Sequence, residues 1–263
     1  MINDLSTMAC TVLRQDDPAA KVDAGAAVAE AWRAGRIDRI GTCQPPARPA
    51  RPKRPELRRP GDMPRRRISG LRGRIALLHA VAHIELNAID LAWDLIARFA
   101  GQDLPDEFYA DWISVAADEG RHFSAVARRL AELGAAYGDL PAHDGLWQAA
   151  TDTAGDLTAR LAVVPMLLEA RGLDVTPGMV AKLRSAGDDQ SADILQIIMD
   201  EEIGHVAAGL RWFEWCCMRQ GMPPVSRWHQ LVGAYFKGHL KPPFNHDARR
   251  QAGMERKYYQ PDA

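Results

Sequence analysis

Apolar residues recur along this chain every three to four positions, and four stretches hold that period for about seven turns or more. From Ser69 to Phe99 one stripe runs through Leu78, Val81, Ala82, Glu85, Ile89, Ala92 and Ile96. Gly101 closes it, and Pro105-Asp106 opens a second helix over 106–133, with Trp112, Val115, Ala116, Glu119, His122, Phe123, Val126 and Leu130 on one face and Gly134 as its stop. A third helix is expected over 146–171, bent at Pro165, followed by a short helix from Pro177 to 186. The fourth long helix, 188–220, carries Ile194, Leu195, Ile198, Met199, Glu202, His205, Val206 and Gly209 on one face and ends at Gly221 and Pro223-Pro224. Shorter helices are expected at 3–14, 18–34 (Asp17 as cap, Pro18 at the first position) and 225–238, ahead of an irregular tail. Strand periodicity is absent, so the predicted class is all-α.

The polar residues inside these stripes change the picture. Glu85 is followed 34 residues on by Glu119, with His122 three positions later. Glu169 is followed 33 residues on by Glu202, with His205 three positions later. Residues three apart share a helix face, so each Glu/His pair can reach one ion. An ionised carboxylate buried without a partner costs several kcal/mol, and four converging carboxylates repel one another. Two divalent cations supply the missing charge. Six metal-competent side chains in two near-equal sets, each on apolar faces, therefore predict a dinuclear metal site inside a four-helix bundle. Carboxylates and imidazoles without thiolates suit iron or manganese better than structural zinc, so the expected cofactor is two Fe ions, with Mn or a mixed Fe/Mn pair as alternatives.

Composition adds an asymmetry. The chain has 263 residues, 47% hydrophobic and 7% aromatic, and a net charge of −1, a balance that implies no obligatory nucleic-acid or membrane partner. Residues 44–67, however, interleave seven Pro with nine Arg or Lys against Glu56 and Asp62 alone. This segment cannot form a regular helix. It is expected to be an extended strap across an acidic helical body, with a tRNA-contacting arm as the weaker alternative because no aromatic residue offers a base-stacking platform. The four cysteines, Cys10, Cys43, Cys216 and Cys217, form no CxxC pair and no disulfide framework. With no secretory leader and no long apolar span in sequence, a reduced, cytoplasmic protein is expected.

Other residues are candidates for roles around the metals. His79 and His83 lie about 120° and 160° from Glu85 in helical phase, so an interhelix or supporting role suits them better than ligation. Tyr109 and Tyr137 are candidates to approach the site. Arg171 is suited either to clamping an anionic substrate group or to pairing with Asp174. His143, His229, His239 and His246 fall in loop or tail contexts that favour surface or capping roles.

Several stretches are distinctive: His79-Ala80-Val81-Ala82-His83-Ile84-Glu85-Leu86, Tyr137-Gly138-Asp139-Leu140-Pro141-Ala142-His143-Asp144-Gly145-Leu146-Trp147, Leu168-Glu169-Ala170-Arg171-Gly172-Leu173-Asp174, and Pro243-Phe244-Asn245. Over roughly 45–255 the chain resembles a bacterial ferritin-like family of unknown function. The resemblance implies a ferritin-like four-helix bundle with a long crossover and, through the wider superfamily, a carboxylate-bridged di-iron centre on Glu85, Glu119, His122, Glu169, Glu202 and His205. The expected organisation is an N-terminal helical extension (1–43), the strap (44–67), the bundle (68–221) and a C-terminal helix and tail (222–263). Three functions fit. The first is an O2-activating oxidoreductase, a hydroxylase or oxygenase, that takes a small-molecule substrate and electrons from an external donor. The second is an iron- or manganese-handling ferroxidase or peroxide scavenger, and the third a structural metal-stapled bundle. No membrane partner is expected, and a homodimer is an option for the assembly.

Overall fold

A computed structural model describes residues 4–63 and 70–260 of the chain. Two compact units make it up, Met1–Trp147 and Gln148–Ala263. Helices dominate both, in line with the all-α expectation.

Unit 1 begins with two short helices, α1 (Leu5–Leu13) and α2 (Pro18–Arg33). Asp4 and Asp17 cap them, each accepting a backbone N–H from the third residue on, at 2.8 Å. Two long helices follow, α3 (Gly70–Phe99) and α4 (Asp106–Glu132), which pack against each other. α1 covers α3 and α2 covers α4. Their boundaries fall within two residues of those the periodicity predicts, because Gly and Pro punctuate the ends. The extended pairing found among the described residues is a two-residue parallel bridge, β1 (Leu57–Arg58) against β2 (Ala142–His143), in a region where no strand was expected.

The one-sided reading of α3 needs correction. Every residue from Glu85 to Ala97 is buried, including Asn87, Asp90 and Asp94, which the stripe assigns to other faces. A helix apolar enough to be covered all round is a core helix. α3 is long and apolar enough to cross a membrane, yet 83% of that window is buried within the protein. Most of the polar groups on its covered faces are met by other segments. Asp90 pairs with Lys21 of α2, whose side chain is 2% exposed, and Arg51 Nε lies 3.5 Å from the other Asp90 oxygen. Lys21 also donates to the Ala50 carbonyl at 2.9 Å. Burial pushes Lys21 down and Asp90 up, and each holds the other back. Arg51 donates to Asn87 at 2.6 Å and reaches Asp144 at 3.3 Å, where Arg48 also binds. Asp94 takes Arg98 one turn on. Residues 44–63 thus turn part of their charge inward onto acidic groups of unit 1; the remainder of the strap, 64–67, lies outside the described residues.

Cys10 of α1 and Cys43 are joined by a disulfide, which corrects the expectation of a fully reduced chain. It is a single tie across 33 residues, without a motif that could signal it in sequence. Cys216 and Cys217 are buried free thiols, both pushed up to about 11, chiefly by burial.

Unit 2 departs most from the expected pattern. Instead of one helix over 146–171 and a short one from Pro177, the chain forms α5 (Gly145–Asp152, which spans the unit boundary), α6 (Leu157–Val163), a π-helical turn (Val164–Glu169) and α7 (Ala170–Ser185). Asp156 restarts the helix by capping Ala159 at 3.0 Å. Pro177 sits inside α7 rather than opening a helix. It has no N–H to give the Leu173 carbonyl, and Asn245 of the tail supplies that donor through its side chain at 3.2 Å. α8 (Asp189–Arg219) packs against α7, and α9 (Pro224–Tyr235), α10 (His246–Gln251) and α11 (Arg256–Tyr259) complete the unit.

The Lys21–Asp90 pair generates a prediction. Removing one partner of a buried pair strands the other and costs about 3–5 kcal/mol. Lys21→Met should therefore lower the melting temperature by roughly 10 °C in a chain of this size. Lys21→Met combined with Asp90→Leu should recover most of that loss. A single-variant loss below about 1 kcal/mol in denaturant unfolding, the median worth of a surface pair, would contradict the buried arrangement.

Candidate metal centre

The middle of α3 and the middle of α4 bring three of the predicted ligands together. Glu85, Glu119 and His122 each offer a ligand atom, all within 4.8 Å of one another. His122 Nδ1 lies 3.3 Å from Glu85 Oε2 and 3.5 Å from Glu119 Oε2. Donor atoms each about 2.1 Å from a shared ion, at angles between right and tetrahedral, are about 3.0–3.4 Å apart. The His122–Glu85 spacing falls in that range and the His122–Glu119 spacing just beyond it. The cluster is buried: Glu119 is 0% exposed, and its helix neighbours Val115, Ala116 and Phe123, like Leu86 and Ile89 beside Glu85 on α3, are buried too. Burial opposes charge on His122, but hydrogen bonding and attraction from Glu119 and Glu85 outweigh it and push the imidazole up to about 11. Two carboxylates buried this deeply draw in whatever positive charge is at hand.

Unit 2 holds the second pair and the remaining glutamate. On α8, His205 Nδ1 is 3.4 Å from Glu202 Oε2; His205 is buried and the Glu202 side chain is 13% exposed. Glu169, half-buried, is the last residue of the π-helical turn. Pro165 accounts for that turn. It lacks the N–H that would bond the Leu161 carbonyl, and its ring crowds the preceding turn, so the helix widens by one residue. Sequence alone signals the disturbance at Pro165 but not the register shift that re-aims Glu169.

The candidates around the site fall elsewhere. His79 Nε2 accepts the backbone N–H groups of Gly138 at 2.9 Å and Leu140 at 3.3 Å, and its ring stacks on Tyr137. His83 Nε2 donates to the His143 carbonyl at 2.9 Å, and its Nδ1 accepts the Tyr137 hydroxyl at 2.9 Å. Burial pushes His83 down to about 4 against the pull of that carbonyl, so the ring is neutral. The two histidines and Tyr137 fasten the 137–143 loop onto α3. Tyr109 is buried edge-on against Phe108, its hydroxyl pushed up to about 12 by burial and then by Asp106. Arg171 Nη1 donates to the carbonyls of Lys241 at 2.6 Å and Pro243 at 2.9 Å, and reaches Asp174 only at 3.4 Å. Asp174 belongs instead to Arg249, which binds both its oxygens at 2.9 and 2.7 Å. Sequence reasoning passed over Lys21, Arg51, Asp90 and Arg249; an unbroken apolar run around an acidic residue was the signal for Asp90.

Fold and cluster together define an all-helical protein with a buried carboxylate–imidazole group that can hold a metal ion. The chain belongs to the family described as Protein of unknown function (DUF455), which matches residues 14–260. The resemblance noted from its motifs holds at that level. It is also 42% identical over 201 residues to an uncharacterized protein of Haemophilus influenzae, covering 74% of this chain and 69% of that one. No solved structure matches it.

The π-turn constrains its neighbour. A methyl group on Gly209 of α8 would overlap the Pro165 ring, within 2.6 Å of its Cγ. Gly→Ala inside a helix ordinarily gains about 1 kcal/mol, whereas overfilling a rigid contact costs about 1–3 kcal/mol. Gly209→Ala should therefore be net destabilising in thermal melts. Gly204→Ala on the same helix, with no atom within 4 Å of the new methyl, should be neutral to stabilising. Equal effects at the two positions would rule out the close approach.

Proposed function

We propose that the two carboxylate–imidazole sets form one dinuclear metal centre in a ferritin-like four-helix bundle, and that the protein is an oxidoreductase that activates dioxygen against a small organic substrate. The observation that carries this reading is the convergence of Glu85, Glu119 and His122, with ligand atoms within 4.8 Å of one another, in a buried interior. The hard-to-borderline donor set, with no thiolate in it, fits iron or manganese.

Glu85, Glu119 and His122 would hold one ion, and Glu169, Glu202 and His205 the other. Two iron ions held this way supply reductive activation of dioxygen once an external donor has provided electrons. The residues do the rest. His122, whose Nδ1 lies beside both carboxylates, would have to give up a proton to hold the ion, so metal uptake would be coupled to proton release. The carboxylates of Glu85 and Glu119, both buried on packed helices, would hold the ion in place. The apolar residues around them keep the interior dry, which protects a reactive centre from side reactions.

Metal analysis on the purified chain, combined with anomalous scattering, should find about two ions per chain on these six residues. Glu119→Gln should weaken binding by at least about tenfold while leaving the helical circular dichroism intact. Wild-type protein refolded with Fe(II) or Mn(II) that binds less than one ion per chain would sink the reading. Metal-loaded protein that turns over peroxide with no organic substrate would move it to the metal-handling class instead.

A further inference from the structure

The tail of unit 2 closes a small cleft of about 170 Å³ against the π-helical turn. Its apolar walls are Leu167, Leu168, Phe236, Leu240 and Phe244. Leu167 and Leu168 directly precede Glu169. The polar lining is Arg171, His239, Lys241 and Asp174.

Charge and geometry narrow what this cleft takes. Asp174 is neutralised: Arg249 binds both its oxygens, and the Asn245 backbone N–H donates to it at 2.9 Å. Arg171 and Lys241 therefore leave the lining positive. Arg171 is also held in place. Its Nη1 is fixed by the carbonyls of Lys241 and Pro243, so the guanidinium plane is set by backbone rather than by a mobile side chain. Among the described residues, its Nε and Nη2 make no hydrogen bond. That is the edge of a guanidinium that binds a carboxylate through two parallel bonds, and a pre-set fork loses little entropy on binding. The walls call for hydrocarbon rather than a bare anion. The volume is below the roughly 300–1,000 Å³ of sites for drug-sized ligands. At about 30 Å³ for each water-sized group it admits a body of roughly six such groups.

We propose that this cleft binds a small amphiphilic carboxylate, with its acid group on the Nε–Nη2 edge of Arg171 and its chain between Leu168 and the Phe236–Phe244 segment. On the oxidoreductase reading, on which this step rests, that molecule is the substrate class, and the turn ending on Glu169 forms one wall of its site. Lys241, exposed at the rim, adds positive charge where the acid approaches.

Calorimetric titration of the full-length, metal-free protein tests the proposal independently of the metal. Hexanoate should bind at least about tenfold tighter than hexan-1-ol or hexylamine, as expected when a charge-assisted pair of bonds is lost. Arg171→Lys keeps the charge but loses the fork, and should weaken hexanoate several-fold. Because Arg171 also anchors the tail, a second variant is needed: Leu168→Trp fills the cleft with Arg171 intact and should abolish binding at an unchanged melting temperature. If that variant melts lower, Leu240→Trp replaces it. Hexan-1-ol binding as tightly as hexanoate would overturn the proposal. So would wild-type affinity in the cleft-filling variant, or displacement of hexanoate by an equal concentration of inorganic phosphate. Failure here leaves the metal analysis standing, and a failed metal analysis leaves this titration interpretable as a carboxylate site without redox chemistry.

Discussion

Most of the charge buried along α3 is met from outside that helix, on one face after another. Glu85 faces the Glu119–His122 pair of α4. Asp90 recruits Lys21 from α2 and Arg51 from the strap. His79 and His83 take the loop at 137–143. The polar groups on α3 thereby recruit several covering segments, α2, α4, the strap and the 137–143 loop, most of them distant in sequence. The unit is specified by apolar burial together with a short set of charge and hydrogen-bond partners that no hydrocarbon core could distinguish.

Much of this was legible beforehand. The ends of α3, α4 and α8 follow from Gly, Pro and Asp punctuation, and the carboxylate–imidazole group that clusters in unit 1 follows from helical phase. What escaped had nonlocal causes. α3 was expected to show one buried stripe, but α1, α2 and the strap cover its other faces, so Asp90 and Asp94 are core residues rather than solvated ones. The third helix was expected to be continuous; Asp156 and Pro165 divide it, and whether a proline bends a helix or inserts a π-turn depends on what packs beside it, here Gly209. The Cys10–Cys43 tie depends on where the chain returns after α2, which no spacing reveals.

The motifs that carry the family resemblance turn out to be partners. The His79–Leu86 stretch meets Tyr137–His143 through imidazole, phenol and backbone groups. The Leu168–Asp174 stretch meets Pro243–Asn245 through Arg171, Asp174 and Asn245. In both units a segment that carries a proposed ligand is clamped by a remote loop or tail. Ligand geometry needs tight tolerance, and this double fastening provides the support that helical phase alone lacks.

Pro177 shows what such fastening implies. The carbonyl it leaves without a partner one turn back is served by an amide 72 residues later. α7 is therefore not a locally complete helix: its hydrogen-bond ladder closes only once the tail has arrived. Nascent chain emerging from a ribosome would carry this helix with a gap in it until Asn245 has been synthesised. A segment made 72 residues later is thus the one that completes the helix following Glu169, which ties the maturation of the candidate ligand region to the arrival of Asn245.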